Sequence, residues 1–251
     1  MRRVTLEGGS IAAWLAEEAP GPGAILGHVV ATGHGRAWAD RWPSPSALLV
    51  EVGGNYLLAG TPAAVDPAAL RPLVTGFLAA SKMFAPVVAE AFPDRMVWDR
   101  LIYRLPAGHS GPPSGPLPGV RALSAADAEA VAGLSEEVAW VVKTWGGPAG
   151  LASYAHAHGA FVDGRLVAVV GTFFLGVRHE DAVVATEPQW RGRGLATACA
   201  RAWCAGVVAR GRTPTWTTSP DNHGSWRIAE RLGLELVRRD VLHVIGVDVF
   251  R

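Results

Sequence analysis

The chain has 251 residues, 49% of them apolar and 18% charged, which is too apolar for a disordered protein and long enough for one large or two small cores. A formal net charge of +1 leaves no electrostatic footprint for nucleic acid or a membrane surface. Nearly all basic residues are arginine, Lys82 and Lys143 being the only lysines, a compositional bias without functional content. Cys199 and Cys204 lie on different faces of one predicted helix and suit neither a disulfide nor a metal site. Arg2-Arg3 suggests an export signal, but Glu7 and Glu17-Glu18 break any apolar stretch behind it, and no apolar run is long enough to span a bilayer. The expectation is a cytoplasmic protein, monomer or homodimer, without nucleic-acid, membrane or metal partners.

In chain order, residues 10–18 read as a helix with Ile11, Trp14 and Leu15 on one face, capped by Ser10 and stopped by Pro20-Gly21-Pro22-Gly23. Residues 24–31 read as a strand. Residues 33–45 read as irregular, with tryptophans plugging a gap. Residues 47–52 and 56–59 form a hairpin about Gly53-Gly54-Asn55. Helical stretches over 67–80 and 85–91 precede a strand over 99–105.

Residues 106–118 carry too much Pro, Gly and Ser for regular structure and mark a boundary between domains at 1–105 and 119–251, with His109 a solvated linker residue. The second half opens with a strand over 120–123 and a helix introduced by Ser124 and Asp127. Helical stretches over 136–144 and 149–158 follow. Asp163-Gly164 joins two strands, 160–162 and 165–175, in the turn that type I′ geometry favours. After a strand to Thr186 come a glycine turn, a helix over 195–210, a strand over 213–217, a helix over 222–232 closed by Gly233, and two strands over 234–239 and 241–250.

The chemistry concentrates in Gln189-Trp190-Arg191-Gly192-Arg193-Gly194-Leu195-Ala196. Two glycines between strand and helix let the backbone turn sharply beside a ligand, and the first N–H groups of the helix converge on one point. Such a point attracts phosphate, and Arg191 and Arg193 add charges that fork onto phosphate oxygens. Taken alone, the turn is equally well a glycine loop with solvated arginines.

In context the segment 119–251 resembles the GNAT-type N-acetyltransferases. Their Q/R-x-x-G-x-G/A signature is matched by Gln189, Gly192 and Gly194, and a second signature by Asn222, Ser225, Gly233 and Leu234. A narrower likeness, carried by Thr186, residues 194–197, Pro214-Thr215-Trp216 and residues 225–234, is to the branch that includes zwittermicin-resistance-type acetyltransferases. The resemblance implies an α/β fold with a mixed sheet, acetyl-CoA as co-substrate and a small-molecule amine as acceptor, in detoxification or antibiotic self-protection. A non-catalytic acyl-CoA sensor and a protein N-terminal acetyltransferase are the alternatives. It places the CoA pyrophosphate on the backbone of Arg191, Gly192, Arg193, Gly194, Leu195 and Ala196, and the pantetheine along Val184, Ala185 and Thr186, where the strand splays from its neighbour. Asn222 is then both helix cap and CoA ligand.

Deprotonating an amine requires a base, and the candidates are Asp181, Glu180, His179 and Glu187. Period-two alternation puts Glu180 and Asp181 on opposite faces, and Asp181 is favoured, a solvated strand end being the other reading for each. Many relatives carry an acidic tyrosine seven residues after the motif asparagine; here that position is Ala229, leaving Ser225 or water to protonate the thiolate. Trp140, Trp145, Tyr154, His156, His158 and His243 are candidates for an acceptor wall. The first half repeats the hairpin, helices and late strand as a partial or degenerate GNAT-like domain, but Thr61-Pro62 follows its Gly60 with no Arg-Gly-x-Gly, so it is expected to cover the catalytic domain rather than bind CoA.

Overall fold

The computed structural model describes residues 1–6, 8–109, 111–112 and 119–248. The first half runs β1 (Arg2–Val4), α1 (Gly8–Ala16), a 3-10 turn at Gly21–Ala24, α2 (Ile25–Thr32), β2 (Arg36–Ala39), β3 (Ala47–Val52), β4 (Asn55–Gly60), α3 (Pro67–Leu70), β5 (Gly76–Ala80), α4 (Ala85–Ala91) and β6 (Met96–Arg104). The second runs β7 (Val120–Ala122), α5 (Ala128–Ala132), a 3-10 stretch Ala139–Trp145, α6 (Pro148–Tyr154), β8 (His158–Val162), β9 (Arg165–Leu175), β10 (His179–Thr186), α7 (Leu195–Ala209), β11 (Thr213–Thr218), α8 (His223–Arg231) and β12 (Glu235–Ile245).

Several expected elements differ. The stretch 24–31 is helix α2, not a strand: an unbroken apolar run has no period to read, and the helix closes on Gly33, at φ 70, whose N–H bonds the Val29 carbonyl. The helix expected over 67–80 is a four-residue turn at α3, cut by Pro72, followed by strand β5. Strand β2 lies inside the stretch expected to be irregular, and its Trp38 is indeed buried. The two strands expected at the C-terminus are one, β12, carrying a bulge between Leu236 and Arg238. Residues 110 and 113–118 of the expected linker and 249–250 of the expected last strand lie outside the described residues.

All twelve strands form one mixed sheet in the order β1-β2-β3-β4-β5-β12-β6-β11-β10-β9-β8-β7. This order is a palindrome in which each strand of the first half matches the strand six later in the second. In both halves an antiparallel hairpin, β3–β4 or β9–β10, is followed by a parallel step, β4 to β5 or β10 to β11. Each half also ends in the other: β6 pairs with β11, β12 pairs with β5, and the two pair with each other from Glu235↔Arg104 to Val244↔Met96. The fold is thus a GNAT-type α/β sheet with an additional domain of the same topology.

The halves differ after the first strand of the parallel step. In the second half α7 has 15 residues and packs Cys199, Trp203, Cys204 and Val207 onto Val167, Ala168, Val170 and Trp216. In the first half the matching helix is α3, whose N-cap Asp66 accepts the Ala68 N–H at 2.9 Å. A carboxylate of the chain itself therefore occupies the helix start that would hold an anion. Burial pushes both α7 thiols up to about 12, so they serve as inert packing groups. On the other face of the second half α5, the 3-10 stretch and α6 cover Val169, Val183 and Ala185, and α2 continues that cover over Phe174.

Candidate active site

The sheet opens where the resemblance places the cofactor. β10 and β11 pair only at His179↔Thr213, Glu180↔Pro214 and Asp181↔Thr215. Beyond Asp181, β10 continues against β9 alone, while Thr215 to Thr218 of β11 pair with β6. A bulge between Asp181 and Ala182 marks the vertex of this gap. Alternate peptide groups of Ala182, Val183, Val184, Ala185 and Thr186 therefore face an opening instead of a neighbouring strand.

At the wide end of the gap lies the glycine turn. Gly192 and Gly194 take φ 75 and 78, and a Cβ built on either meets nothing within 4 Å, so the backbone stands against open space. Gly194 caps α7, and the first bond within the helix is from the Ala198 N–H to the Gly194 carbonyl. The N–H groups of Leu195, Ala196 and Thr197 thus point out of the helix end, where an anion is held by hydrogen bonds and the helix dipole. This combination fits a pyrophosphate. Arg191 gives its Nε to the Thr186 carbonyl at 3.2 Å and pairs with Glu137 at 2.5 Å, whereas Arg193 lies over the Trp190 ring at 4.5 Å. Both are exposed at the rim of the loop.

Across the gap Asn222 caps α8, its Oδ1 accepting the Ser225 N–H at 3.1 Å. Ser225 is buried and its Oγ accepts the Trp216 indole N–H at 2.9 Å, which leaves its own proton to donate. Ala229 is fully buried in the core beneath α8.

The acidic candidates separate sharply. Asp181, 2% exposed, sits at the vertex and accepts the hydroxyls of Thr215 at 2.8 Å and Thr217 at 3.1 Å. Burial raises its carboxyl to about 6, against the opposing pull of those two hydroxyls and the charges of Arg100 and His179. Glu180 faces α7. There it pairs with Arg210 at 2.9 Å and Arg212 at 3.5 Å and accepts the Thr172 hydroxyl, and His156 stands 3.4 Å away. Burial pushes Glu180 upward, but His156, Arg210 and Thr172 together outweigh it and hold the group at about 2. The Glu187 Oε1 accepts the Ser135 N–H at 2.8 Å, tying down the loop after α5. The His179 ring meets the Glu18 carboxylate at 3.0 Å, and the same carboxylate accepts the N–H groups of Val177, Arg178 and His179. Of the four candidates Glu180 and His179 are held in ion pairs and Glu187 by the Ser135 N–H, whereas Asp181 stands at the vertex of the gap bound only by two threonine hydroxyls.

The residues expected to wall the acceptor do not gather. Trp145 is buried and donates to the Thr172 carbonyl, Tyr154 is exposed, His156 and His158 lie toward β8 and Glu180, and His243 pairs across to Leu78 of β5. Trp140 is half-exposed and packs edge-on against Phe173, beside the bulge. Thr215 and Thr217 were missed in the sequence. Their signal was the alternation Thr213-Pro214-Thr215-Trp216-Thr217, which puts three hydroxyls on one face of β11.

Among the described residues no three His, Cys, Asp or Glu side chains gather to hold a metal, and no helix is long and apolar enough to cross a membrane. The family model for the GNAT acetyltransferases matches residues 124–239. A relative from Streptomyces virginiae, named an uncharacterized N-acetyltransferase in the mutA 5' region, is 43% identical over 201 residues, 78% of this chain and 84% of its own. A crystal structure of a GCN5-related N-acetyltransferase-like protein from Streptococcus suis superposes with a TM-score of 0.70 at 21% identity, covering 93% of this chain and 96% of that one. A tandem GNAT protein from the clavulanic acid biosynthesis pathway superposes with a TM-score of 0.55 at 14% identity, over 96% of both chains, a likeness of fold that spans both halves. The chain belongs to the GNAT N-acetyltransferases and is an acyltransferase.

Proposed function

We propose that the protein transfers an acetyl group from acetyl-CoA to the amine of a small molecule, with Asp181 as general base. The observation that carries this reading is the buried carboxyl of Asp181, raised to about 6, at the vertex of the gap between β10 and β11. At neutral pH most of it is ionised, yet it is basic enough to accept a proton from an ammonium group, the balance that efficient base catalysis needs. Bound acetyl-CoA supplies an electrophilic thioester carbonyl. The chain holds the donor through the N–H groups of Leu195, Ala196 and Thr197 at the pyrophosphate and the open edge of Val184, Ala185 and Thr186 along the pantetheine. Phe173, Phe174 and the 3-10 turn Gly21–Ala24 keep bulk water from the vertex.

The test is thiol release from acetyl-CoA with tyramine, spermidine, L-phenylalanine and glucosamine. Turnover of at least one amine is expected, with a rate that falls as pH drops below about 6, and Asp181→Asn lowers kcat by about 100-fold or more. An Asp181→Asn protein with an unchanged rate and pH profile would sink the assignment. Acetyl-CoA at a hundred times its dissociation constant raises stability by about 2.7 kcal/mol, so an unmoved melting temperature counts against the donor.

A further inference from the structure

Asp181 is 2% exposed, its Oδ1 held by two threonine hydroxyls and its Oδ2 without a hydrogen-bond partner among the described residues. Thr215, fully buried, and Thr217, only half-buried, both donate to the same oxygen, Oδ1. Phe174, 4% exposed, stands opposite Asp181 on β9. The 3-10 turn Gly21–Ala24 closes the same face: Gly21 is buried at φ 75, and a Cβ built on it would stand 2.8 Å from Thr217 Oγ1 and 3.2 Å from a methyl of Ile102. Of the residues that touch the Asp181 carboxylate, Thr217 is the one with surface to offer an incoming molecule.

We infer that Thr217 is a catalytic proton relay, its hydroxyl meeting the acceptor amine and passing the proton to Oδ1 of Asp181. This rests on the reading of Asp181 as the base. The Thr217 O–H is already directed at Asp181, and its oxygen keeps lone pairs for an N–H from the amine. In the step the N–H bond of the ammonium breaks and its proton bonds to Thr217 Oγ1. The former Thr217 proton bonds to Asp181 Oδ1, and the carboxylate becomes a neutral acid. No electrons change hands, and the proton leaves by the reverse route. Gly21 is part of the device, because any side chain there would press on the relay oxygen.

The titratable and charged groups around Asp181 are few. β6 contributes Arg100, bound to Asp240 of β12 at 2.7 Å, and Asp240 in turn holds Arg238 at 3.0 Å. Its own strand contributes His179, held by Glu18. The turn Gly21–Ala24 has no titratable side chain, and β9 presents Phe174.

The test compares Thr217→Val, Thr217→Ala and Thr217→Ser with Asp181→Asn. A readout independent of acetyl-CoA is carbon NMR of protein labelled at the aspartate carboxyls, with the Asp181 signal assigned by its loss in Asp181→Asn. Removing the Thr217 donor is expected to move the Asp181 titration upward in the valine and alanine variants, and serine is expected to return it. The second readout is kcat at pH 9, where Asp181 is ionised throughout, with whichever of the four amines is turned over fastest. The expected result is a loss of about 100-fold for valine, at least tenfold for alanine, and recovery to within about threefold for serine. Thermal melting identifies a variant that fails to fold, and the smaller alanine substitution stands in should valine do so. If kcat collapses in Asp181→Asn but holds in the valine and alanine variants, Asp181 is the base and the relay is overturned. If it holds in Asp181→Asn as well, or if none of the four amines is turned over by the native protein, the base assignment falls and takes the relay with it.

Discussion

Asp181 and Glu180 are adjacent on β10, and the pleat turns one toward Thr215 and Thr217 and the other toward Arg210 and Thr172. The resulting pKa values, about 6 and about 2, give opposite couplings to stability. Asp181 titrates higher in the fold than in the unfolded chain, so its contribution is fully present below about pH 4 and is lost as pH rises through 6. Above that, holding the ionised carboxylate costs about 3 kcal/mol. Asp181→Asn should therefore stabilise the protein at pH 8 by about 1–3 kcal/mol while removing activity, and the gain should vanish near pH 4. Thermal melting at the two pH values decides, and a variant no more stable at pH 8 counts against the buried ionised carboxylate. Glu180 titrates lower than in the unfolded chain, so its contribution is present above the ordinary carboxylate range and is lost as pH falls through about 2. Glu180→Gln leaves Arg210 and Arg212 without their carboxylate. Both are roughly a third exposed, so water screens them and the expected loss is about 2 kcal/mol instead of the larger cost of a fully buried pair. Denaturant unfolding at pH 7 measures it, and kcat of the folded variant should fall by less than tenfold.

The glycine turn and α7 act as a unit in which ligand binding and stability separate. Because a Cβ on Gly192 meets no protein atom, Gly192→Asp costs only the left-handed backbone strain, about 1–2 kcal/mol, yet it puts a carboxylate into the open space beside the helix start. The variant should melt cooperatively and show no rise in melting temperature with acetyl-CoA, and a preserved rise would move the pyrophosphate elsewhere. The turn, helix and cap were legible in the sequence because their signals are local: strand, two glycines, proline-free helix and a later asparagine cap. That Glu180 and Asp181 face opposite sides of β10 was legible for the same reason, from alternation along their own strand. The hydroxyl partners of Asp181 were not: alternation puts Thr213, Thr215 and Thr217 on one face of β11, but that this face meets Asp181 follows from the parallel register of β10 and β11, which no local pattern records. Helix α2 was misread because an apolar run buried all round has the composition of a core strand. Its role is also non-local, since His28 donates from Nε2 to the Thr144 carbonyl and accepts the Leu175 N–H on Nδ1, with burial lowering it to about 4. Strand β5 was absorbed into a helix because its apolar Gly76-Phe77-Leu78-Ala79-Ala80 shows no period of its own.

At the scale of the molecule the exchange of last strands makes the two halves one folding unit. β6 fills the slot between β11 and β12, and its Leu101, Ile102 and Tyr103 are buried, with Leu105 just beyond, Leu101, Tyr103 and Leu105 lying in the core under α7 and α8. At about 2 kcal/mol for each buried side chain, removing that strand forfeits some 8 kcal/mol, as much as the whole stability of an ordinary domain. It also leaves facing edges of β11 and β12 unpaired, and loss of the rest of the first half strips the cover of α2 from Phe174 and the Glu18 carboxylate from the start of β10. Residues 119–251 produced alone, though they carry the whole glycine turn and both motif asparagine and serine, should therefore show no cooperative melting and no response to acetyl-CoA. Co-produced with residues 1–118 they should copurify as a one-to-one complex whose melting temperature rises with acetyl-CoA, because the exchanged strands supply a ready interface. A monomeric 119–251 fragment that melts cooperatively near the temperature of the full chain would show that β6 is an accessory to the catalytic half and not a part of it.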